Sequence, residues 1–220
     1  MQDITLLVIA KEPIAGRVKT RLSPPFSREQ AAALAEAALL DTLHAVALTP
    51  AGRRILVFEG DPGGRVPSGF EVAAQQGAGL DERLAAAFAQ VDGAALLVGM
   101  DTPQVTSALL SRGVAALLAP GVDAVIGPAC DGGYWSVGLA RPTPEAFLGI
   151  PMSLSSTLAH QHARLRRLGL SVNVQPRLRD VDTVADAVAV AHEAAATRFA
   201  SALRSMIGEV EQRPPVAVLA

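Results

Sequence analysis

Acidic residues follow several apolar runs in this sequence, at the points where buried strands would end. Asp101 comes after the apolar run 95–98 and two residues before Pro103. A run of this length is typical of a strand buried on both faces of a parallel sheet, and a proline cannot continue such a strand. Ligands bind α/β sheets at the carboxyl ends of the strands, which favours a functional role for Asp101. The same spacing also fits a structural role, in which Asp101 caps a helix that starts near Pro103.

A basic loop follows the first predicted strand, residues 4–10, and contains a proline and a glycine. Backbone N–H groups in such a loop, together with lysine and arginine side chains, can hold a phosphate. The loop lacks the glycine spacing of a Walker A motif and of a dinucleotide-binding fingerprint. A solvated charged loop is the alternative, but the position after a buried strand favours a phosphate site. The candidate phosphate-binding residues are Lys11, Gly16, Lys19 and Arg21.

Two glycine-containing loops supply further candidates. Gln76 and Gly77 precede a predicted helix, where a glutamine and backbone amides can contact the edge of a base. Asp131 precedes Gly132 and Gly133, and paired glycines let the backbone approach a ligand closely. A tight turn is the alternative for this second loop.

Asp180 and Asp182 lie near the end of the last predicted strand. Asp182 at a helix start is ordinary capping chemistry. A carboxylate pair on the same sheet edge as Asp101 could instead complete a metal site. Both interpretations remain open at this point.

The apolar periodicity predicts strands alternating with helices, which is typical of an α/β protein. Asp41 is predicted to be an exposed helix residue, and Cys130 a small buried residue rather than a nucleophile. The predicted strands are 4–10, 54–58, 70–74, 95–98, 123–127, one that contains residues 134–135, and 171–174. The predicted helices are 27–48, one that follows the loop of Gln76 and Gly77 and ends near 91, 104–118, 155–168 and 183–206.

The composition indicates a cytoplasmic protein without a membrane span. Of the 220 residues, 50% are hydrophobic and only 18% are charged, which is ample material for a core. The net charge of −2 argues against a partner that is a nucleic acid or an anionic membrane. The single cysteine excludes an internal disulfide, and neither a secretory leader nor a long apolar run is visible. We expect one domain over residues 1–208 and a loosely ordered tail over 209–220.

Five motifs together resemble a known bacterial family. The chain is similar to GT-A-like glycosyltransferases described as selenodomain-associated or arsenosugar-biosynthesis transferases, relatives of the nucleotide-diphospho-sugar transferases, over about residues 4–205. The motifs are Lys11-Glu-Pro-x-x-Gly16-Arg-Val-Lys-Thr-Arg-Leu22, Gln76-Gly77 with Leu80 and Arg83, Gly99-Met-Asp-Thr-Pro103, Asp131-Gly-Gly-Tyr-Trp-Ser-Val-Gly-Leu139 and Asp180-Val-Asp-Thr183.

The resemblance implies a three-layer α/β/α sandwich with a mixed, mainly parallel, Rossmann-like sheet. It implies that nucleotide phosphates lie over the basic loop and that Gln76, Gly77 and Arg83 help to bind the nucleotide. It also places Asp101 where such enzymes hold a divalent metal ion, although Asp-Thr-Pro differs from the Asp-x-Asp of many glycosyltransferases. The segment 151–156 lacks a tryptophan that relatives often carry after the proline, and we expect it to line the acceptor side.

We therefore predict a metal-assisted glycosyltransferase that uses a nucleotide-sugar donor and a small acceptor. Mg²⁺ or Mn²⁺ would bind Asp101, with Asp182 or Asp180 as a second ligand. Asp131 would hold or deprotonate the acceptor, and Gly132 and Gly133 would admit the sugar. The alternatives are a nucleotidyltransferase, which would release pyrophosphate from a nucleoside triphosphate, and a nucleotide-binding relative without catalysis.

Overall fold

A seven-stranded sheet forms the centre of the computed structural model, which describes residues 4–211. Its strands lie in the order β3-β2-β1-β4-β6-β5-β7, and only β6 runs antiparallel to its neighbours. The strands are β1 (Ile4–Lys11), β2 (Arg53–Glu59), β3 (Glu71–Ala74), β4 (Ala94–Gly99), β5 (Ala124–Pro128), β6 (Tyr134–Leu139) and β7 (Val172–Val174).

Helices cover both faces of this sheet, because its central strands are apolar on both faces. One face packs against α1 and α3, and the other packs against α2 and α4. Outside α1, the helices α5 and α6 form a third apolar cluster. The helices are α1 (Arg28–Ala47), α2 (Leu80–Phe88), α3 (Ser107–Leu117), α4 (Thr157–Arg167), α5 (Val184–Glu193) and α6 (Arg198–Glu211).

The alternation of side chains along β1 shows how the two layers are built. Leu6 faces the cluster that contains α1, and Leu7 faces the cluster that contains α2. In the register with β4, Leu6 pairs with Leu96 and Leu7 pairs with Leu97, so both clusters continue across the sheet. The predicted three-layer α/β/α sandwich with a mixed, mainly parallel sheet is confirmed.

The carboxyl terminus departs from the prediction of one helix over 183–206. Two helices are present, and residues 194–197 separate them. The reason is Asp41 of α1, which was predicted to be exposed but is 8% exposed. Its carboxylate accepts hydrogen bonds from the backbone N–H groups of Arg198 (3.1 Å) and Phe199 (2.9 Å), and thereby caps a new helix.

Residues 209–211, which were predicted to begin a loosely ordered tail, form the last turn of α6 in the structure. Residues 212–220 lie outside the described residues, and the single domain over 1–208 stays a prediction. Within residues 4–211, no helix combines the length and the apolar character that a membrane span requires.

Candidate active site

A cleft of about 640 Å³ opens at the carboxyl edge of the parallel strands. The loops that follow β1, β4, β5 and β7 contribute to its lining. The predicted site residues that line it are Lys11, Lys19, Arg21, Asp101, Asp131, Gly133 and Asp182. The structure therefore brings the basic loop and the acidic residues to one place.

Lys19 is the buried centre of this cleft, with a side chain only 8% exposed. Its ammonium nitrogen lies 2.6 Å from Asp101 Oδ1 and 3.3 Å from Asp182 Oδ1. Burial by itself lowers the pKa of Lys19, but the charges and hydrogen bonds of Asp101 and then Asp182 outweigh burial and raise it. The ammonium is therefore held in its charged form by acids from two other loops.

Asp101 does not cap the helix that follows it. Helix α3 starts at Ser107, and the Thr106 side chain accepts the hydrogen bond from the N–H of Leu109. The backbone oxygen of Asp101 accepts a hydrogen bond from Val181 N–H (3.0 Å), which ties the loop after β4 to the segment after β7. The capping alternative for Asp101 is wrong, and its carboxylate faces Lys19 instead.

Three other carboxylates form a cluster beside Lys19. Asp131, Asp180 and Asp182 each offer one oxygen, and these oxygens lie within 4.8 Å of one another. Burial, followed by the charge of Asp131, raises the pKa of Asp180 to about 6. Burial and a neighbouring carboxylate thus both disfavour the charged form of Asp180.

Backbone pairing brings this cluster together. Leu178 N–H donates to Pro128 O (3.0 Å), and Cys130 N–H donates to Leu178 O (2.9 Å), so the segment before Asp180 runs alongside the end of β5. Asp131 Oδ1 accepts a hydrogen bond from Gly133 N–H (2.7 Å), which fixes the carboxylate within its own loop.

The cluster fits a divalent metal ion by its chemistry. Mg²⁺ and Mn²⁺ prefer oxygen ligands, and a cation would favour the ionised form of Asp180, whose pKa is raised by burial and then by the charge of Asp131. Of the two predicted metal ligands, Asp182 belongs to this cluster of three acids and Asp101 does not. Asp101 Oδ1 is instead paired with the Lys19 ammonium at 2.6 Å.

A wall formed by residues 152–157 closes one side of the cleft. Gly132 adopts φ +91°, and a Cβ atom at this position would lie 2.0 Å from Ser155 O. Leu158 N–H donates to Gly132 O (2.8 Å), so the loop that carries Asp131 packs directly against this wall. The residues of the wall that line the cleft are Met152, Ser153, Leu154, Ser155 and Thr157.

Residues 32–154 match the model of a protein family, DUF2064, whose description is 'uncharacterized protein conserved in bacteria'. This match covers more than half of the chain. The chain belongs to the DUF2064 family. No curated protein sequence matches it at a significant level.

Solved structures similar to this DUF2064 chain share its fold. A protein from Desulfovibrio desulfuricans G20, provisionally assigned as a nucleotide-diphospho-sugar transferase, is 29% identical with a TM-score of 0.84, and the match covers 96% of this chain and 98% of that chain. A nucleotidyl transferase from Methanothermobacter thermautotrophicus is 15% identical with a TM-score of 0.60, and the match covers 93% and 100%. Glucosyl-3-phosphoglycerate synthase from Mycobacterium tuberculosis, solved with Mn²⁺ and UDP, is 11% identical with a TM-score of 0.55, and the match covers 97% and 81%.

The remaining predicted residues of this DUF2064 protein lie outside the lining of the cleft. Gly16 lines a neighbouring groove. Gln76 is exposed, and Gly77 accepts a hydrogen bond from the Arg83 guanidinium through its backbone oxygen (3.2 Å). Arg83 also pairs with Glu59, so its contacts hold the loop in shape.

Two residues near the cleft correct or extend the sequence interpretation. Cys130 is exposed, so the prediction that it is buried is wrong. The reason is that only its backbone joins the pairing with Leu178. Trp135 is 5% exposed and donates from Nε1 to Pro176 O (3.0 Å), so it belongs to the core below the cleft.

Proposed function

We propose that this protein is a metal-assisted glycosyltransferase that takes a nucleotide-activated sugar as donor and a small molecule as acceptor. The observation that carries the proposal is the cleft in which an oxygen-rich carboxylate cluster faces a basic loop. The similarity to transferases of nucleotide sugars and nucleotides supports it. The resemblance to the selenodomain-associated and arsenosugar-biosynthesis transferases is consistent with it.

The basic loop is suited to the diphosphate of the donor. Lys11, Arg17 and Arg21 line the cleft and are exposed, so their charges can reach a ligand. Arginine provides forked hydrogen bonds to phosphate oxygens. We therefore assign the donor phosphates to these three residues, and we assign Lys19 to the acids described above rather than to direct phosphate binding.

The carboxylate cluster is suited to Mg²⁺ or Mn²⁺. We propose that Asp131, Asp180 and Asp182 hold the ion, which when bound would neutralise negative charge on the leaving diphosphate. Asp131 also lies next to the wall, because Gly132 contacts Ser155. Asp131 is thus placed to hold the acceptor hydroxyl or to take its proton as the bond to the sugar forms.

The wall favours glycosyl transfer over nucleotidyl transfer to a phosphorylated acceptor. All cationic side chains that line the cleft belong to the basic loop, residues 11–21, and the wall residues 152–157 carry none. The wall instead presents serine hydroxyls and the apolar side chains of Met152 and Leu154. An acceptor phosphate would find no charged partner there, whereas a neutral hydroxyl compound would find hydrogen bonds and apolar contact.

The products distinguish these two reactions. We expect the protein, with Mn²⁺ or Mg²⁺, to release a nucleoside diphosphate from one nucleotide sugar of a panel, slowly to water and faster when a suitable acceptor is added. Chromatography that separates nucleoside mono-, di- and triphosphates, together with a pyrophosphate assay, measures the outcome. EDTA should abolish the release.

The contrary result is also clear. Metal-dependent release of pyrophosphate from a nucleoside triphosphate and a sugar phosphate would replace glycosyl transfer by nucleotidyl transfer. A protein whose melting temperature rises with nucleotide and metal, but which turns over no donor of either kind, would be a binding protein without catalysis.

A further inference from the structure

We propose that the Lys19 ammonium is a built-in cation that fills one of two adjacent cation positions, so that the centre takes one divalent metal ion per chain rather than two. The inference rests on the metal-assisted function proposed above. It concerns the position between Asp101 and Asp182, next to the cluster of Asp131, Asp180 and Asp182.

Asp182 links the two positions. Its Oδ1 lies 3.3 Å from the Lys19 ammonium, its Oδ2 lies 3.6 Å from Arg21, and one of its oxygens belongs to the carboxylate cluster. Two-metal sites use a shared carboxylate in the same way, with both cations close to the reacting oxygens. Here the cation between Asp101 and Asp182 is the side-chain ammonium group of Lys19 rather than a metal ion.

The backbone at Lys19 indicates that its position is built rather than incidental. Lys19 adopts φ 47° and ψ 38°, a left-handed conformation that glycine tolerates and that other residues rarely adopt. A lysine is retained there although burying its ammonium costs free energy. The two carboxylates offset that cost, and strain of this kind concentrates at functional sites.

The charges of the centre balance with a single divalent ion. The four carboxylates of Asp101, Asp131, Asp180 and Asp182 carry four negative charges when ionised. Lys19 and Arg21, which both contact these acids, supply two positive charges, and one divalent ion supplies the other two. A second divalent ion would leave an excess of positive charge and would have to displace the Lys19 ammonium.

Thr102 gives a further observation at the same place. It follows Asp101, lines the cleft and is 2% exposed, and its hydroxyl has no hydrogen-bond partner among the described residues. If the Lys19 side chain were removed, the carboxylates of Asp101 and Asp182 would be the oxygen groups left facing that position.

The test is the number of Mn²⁺ ions bound per chain, measured without any donor by equilibrium dialysis and by electron paramagnetic resonance of free Mn²⁺. We expect one ion for the wild type and two for Lys19→Gly, because glycine accepts the left-handed backbone and vacates the cation position. In Lys19→Gly combined with Asp101→Asn, the count should return to one. Lys11→Ala loses the same charge from the same cleft without vacating this position and should bind one ion.

Two ions in the wild type, or one ion in folded Lys19→Gly, would overturn the inference. A wild type that binds no Mn²⁺ would overturn it as well, because no centre would exist. A wild-type count of two or of none overturns the inference even if the glycine variant fails to fold. Counts of one and two without any donor turnover would instead contradict the proposed glycosyl transfer and leave the role of Lys19 standing.

Discussion

Asp180 is the carboxyl group whose ionisation the fold disfavours, since burial and then the charge of Asp131 raise its pKa to about 6. An unfolded aspartate has a pKa near 3.9. Between about pH 4 and pH 6 the folded protein therefore binds more protons than the unfolded chain, and this group lowers the stability as the pH rises through that range.

The variant Asp180→Asn should for this reason be more stable than the wild type in EDTA at pH 7.5, because asparagine carries no charge to be buried. The gain in melting temperature should shrink as the pH falls through 6 towards 4. Thermal unfolding at several pH values measures both effects. Addition of Mn²⁺ should reverse the order of the two proteins, and a melting temperature that is lower than wild type at all pH values would contradict the electrostatic account.

Individual site residues were partly predictable from the sequence. Lys11, Lys19, Arg21, Asp101, Asp131 and Asp182 could be singled out because each follows a strand, and strand ends share one edge of the sheet. The pairing of Lys19 with Asp101 could not be predicted, because it joins loops after β1 and β4 that are distant in sequence. The same limit applies to the grouping of Asp131 with Asp180, which depends on backbone pairing near Leu178.

At the scale of elements, the loop that carries Asp131 and the wall at Ser155 act as one unit. Gly132→Ala tests this, because alanine must adopt φ +91° and its Cβ would clash with Ser155 O. Gly149→Ala is the matched control, with φ +75° and no atom within 4 Å of the added Cβ. The control should lose about 1–2 kcal/mol of unfolding free energy from backbone strain alone.

Gly132→Ala should lose more stability than this control, since the wall must also move. It should also bind Mn²⁺ about tenfold more weakly, because Asp131 shifts with its loop. Denaturant unfolding and Mn²⁺ titration of both variants give the comparison. Equal stability losses with equal Mn²⁺ affinities would show that the wall and the loop are independent.

Most elements were predictable because apolar periodicity and capping residues are local signals. The predicted helix starts at 27 and 183 coincide with two capping boxes, formed by Ser27 with Gln30 and by Thr183 with Asp186, and such pairs can be recognised from their spacing. The break between α5 and α6 has one local sign, since the side chain of Thr197 accepts a hydrogen bond from Ala200 N–H at the start of α6. The second acceptor at this helix start is Asp41, which is remote in sequence and could not be predicted.

At the scale of the whole molecule, Asp41 attaches the last helix to the rest of the protein. Asp41→Ala should lower the unfolding free energy by about 1–3 kcal/mol, since the first N–H groups of α6 lose a charged acceptor in a buried place. Asp92→Ala, at an exposed loop position, is the control and should change it by less than about 0.5 kcal/mol. Denaturant titration decides, and a variant as stable as this control would mean that apolar packing alone holds α6.

The order of the strands in the sheet was not predicted, because local signals do not contain it, and the resemblance to a family implied only a mixed, mainly parallel sheet. Short apolar runs such as 95–98 and 123–127 predict strands but not their neighbours. In the structure, β6 lies between β4 and β5, so these two strands are not paired with each other. Successive residues of a strand point to opposite faces of the sheet, so the adjacent apolar residues Leu6 and Leu7 do predict a sheet that is buried on both faces. In the structure, helices pack on both faces.

The position of β7 and the segment after it has a consequence for the synthesis of the protein. A chain that leaves the ribosome from its amino terminus presents the basic loop and all seven strands before Asp180 and Asp182 emerge. Until then it has one of the three clustered carboxylates and lacks the acid that joins Lys19 to the cluster. The proposed metal site is therefore complete only after synthesis has passed Asp182, and a nascent chain that ends before this residue should bind Mn²⁺ more weakly than the full chain.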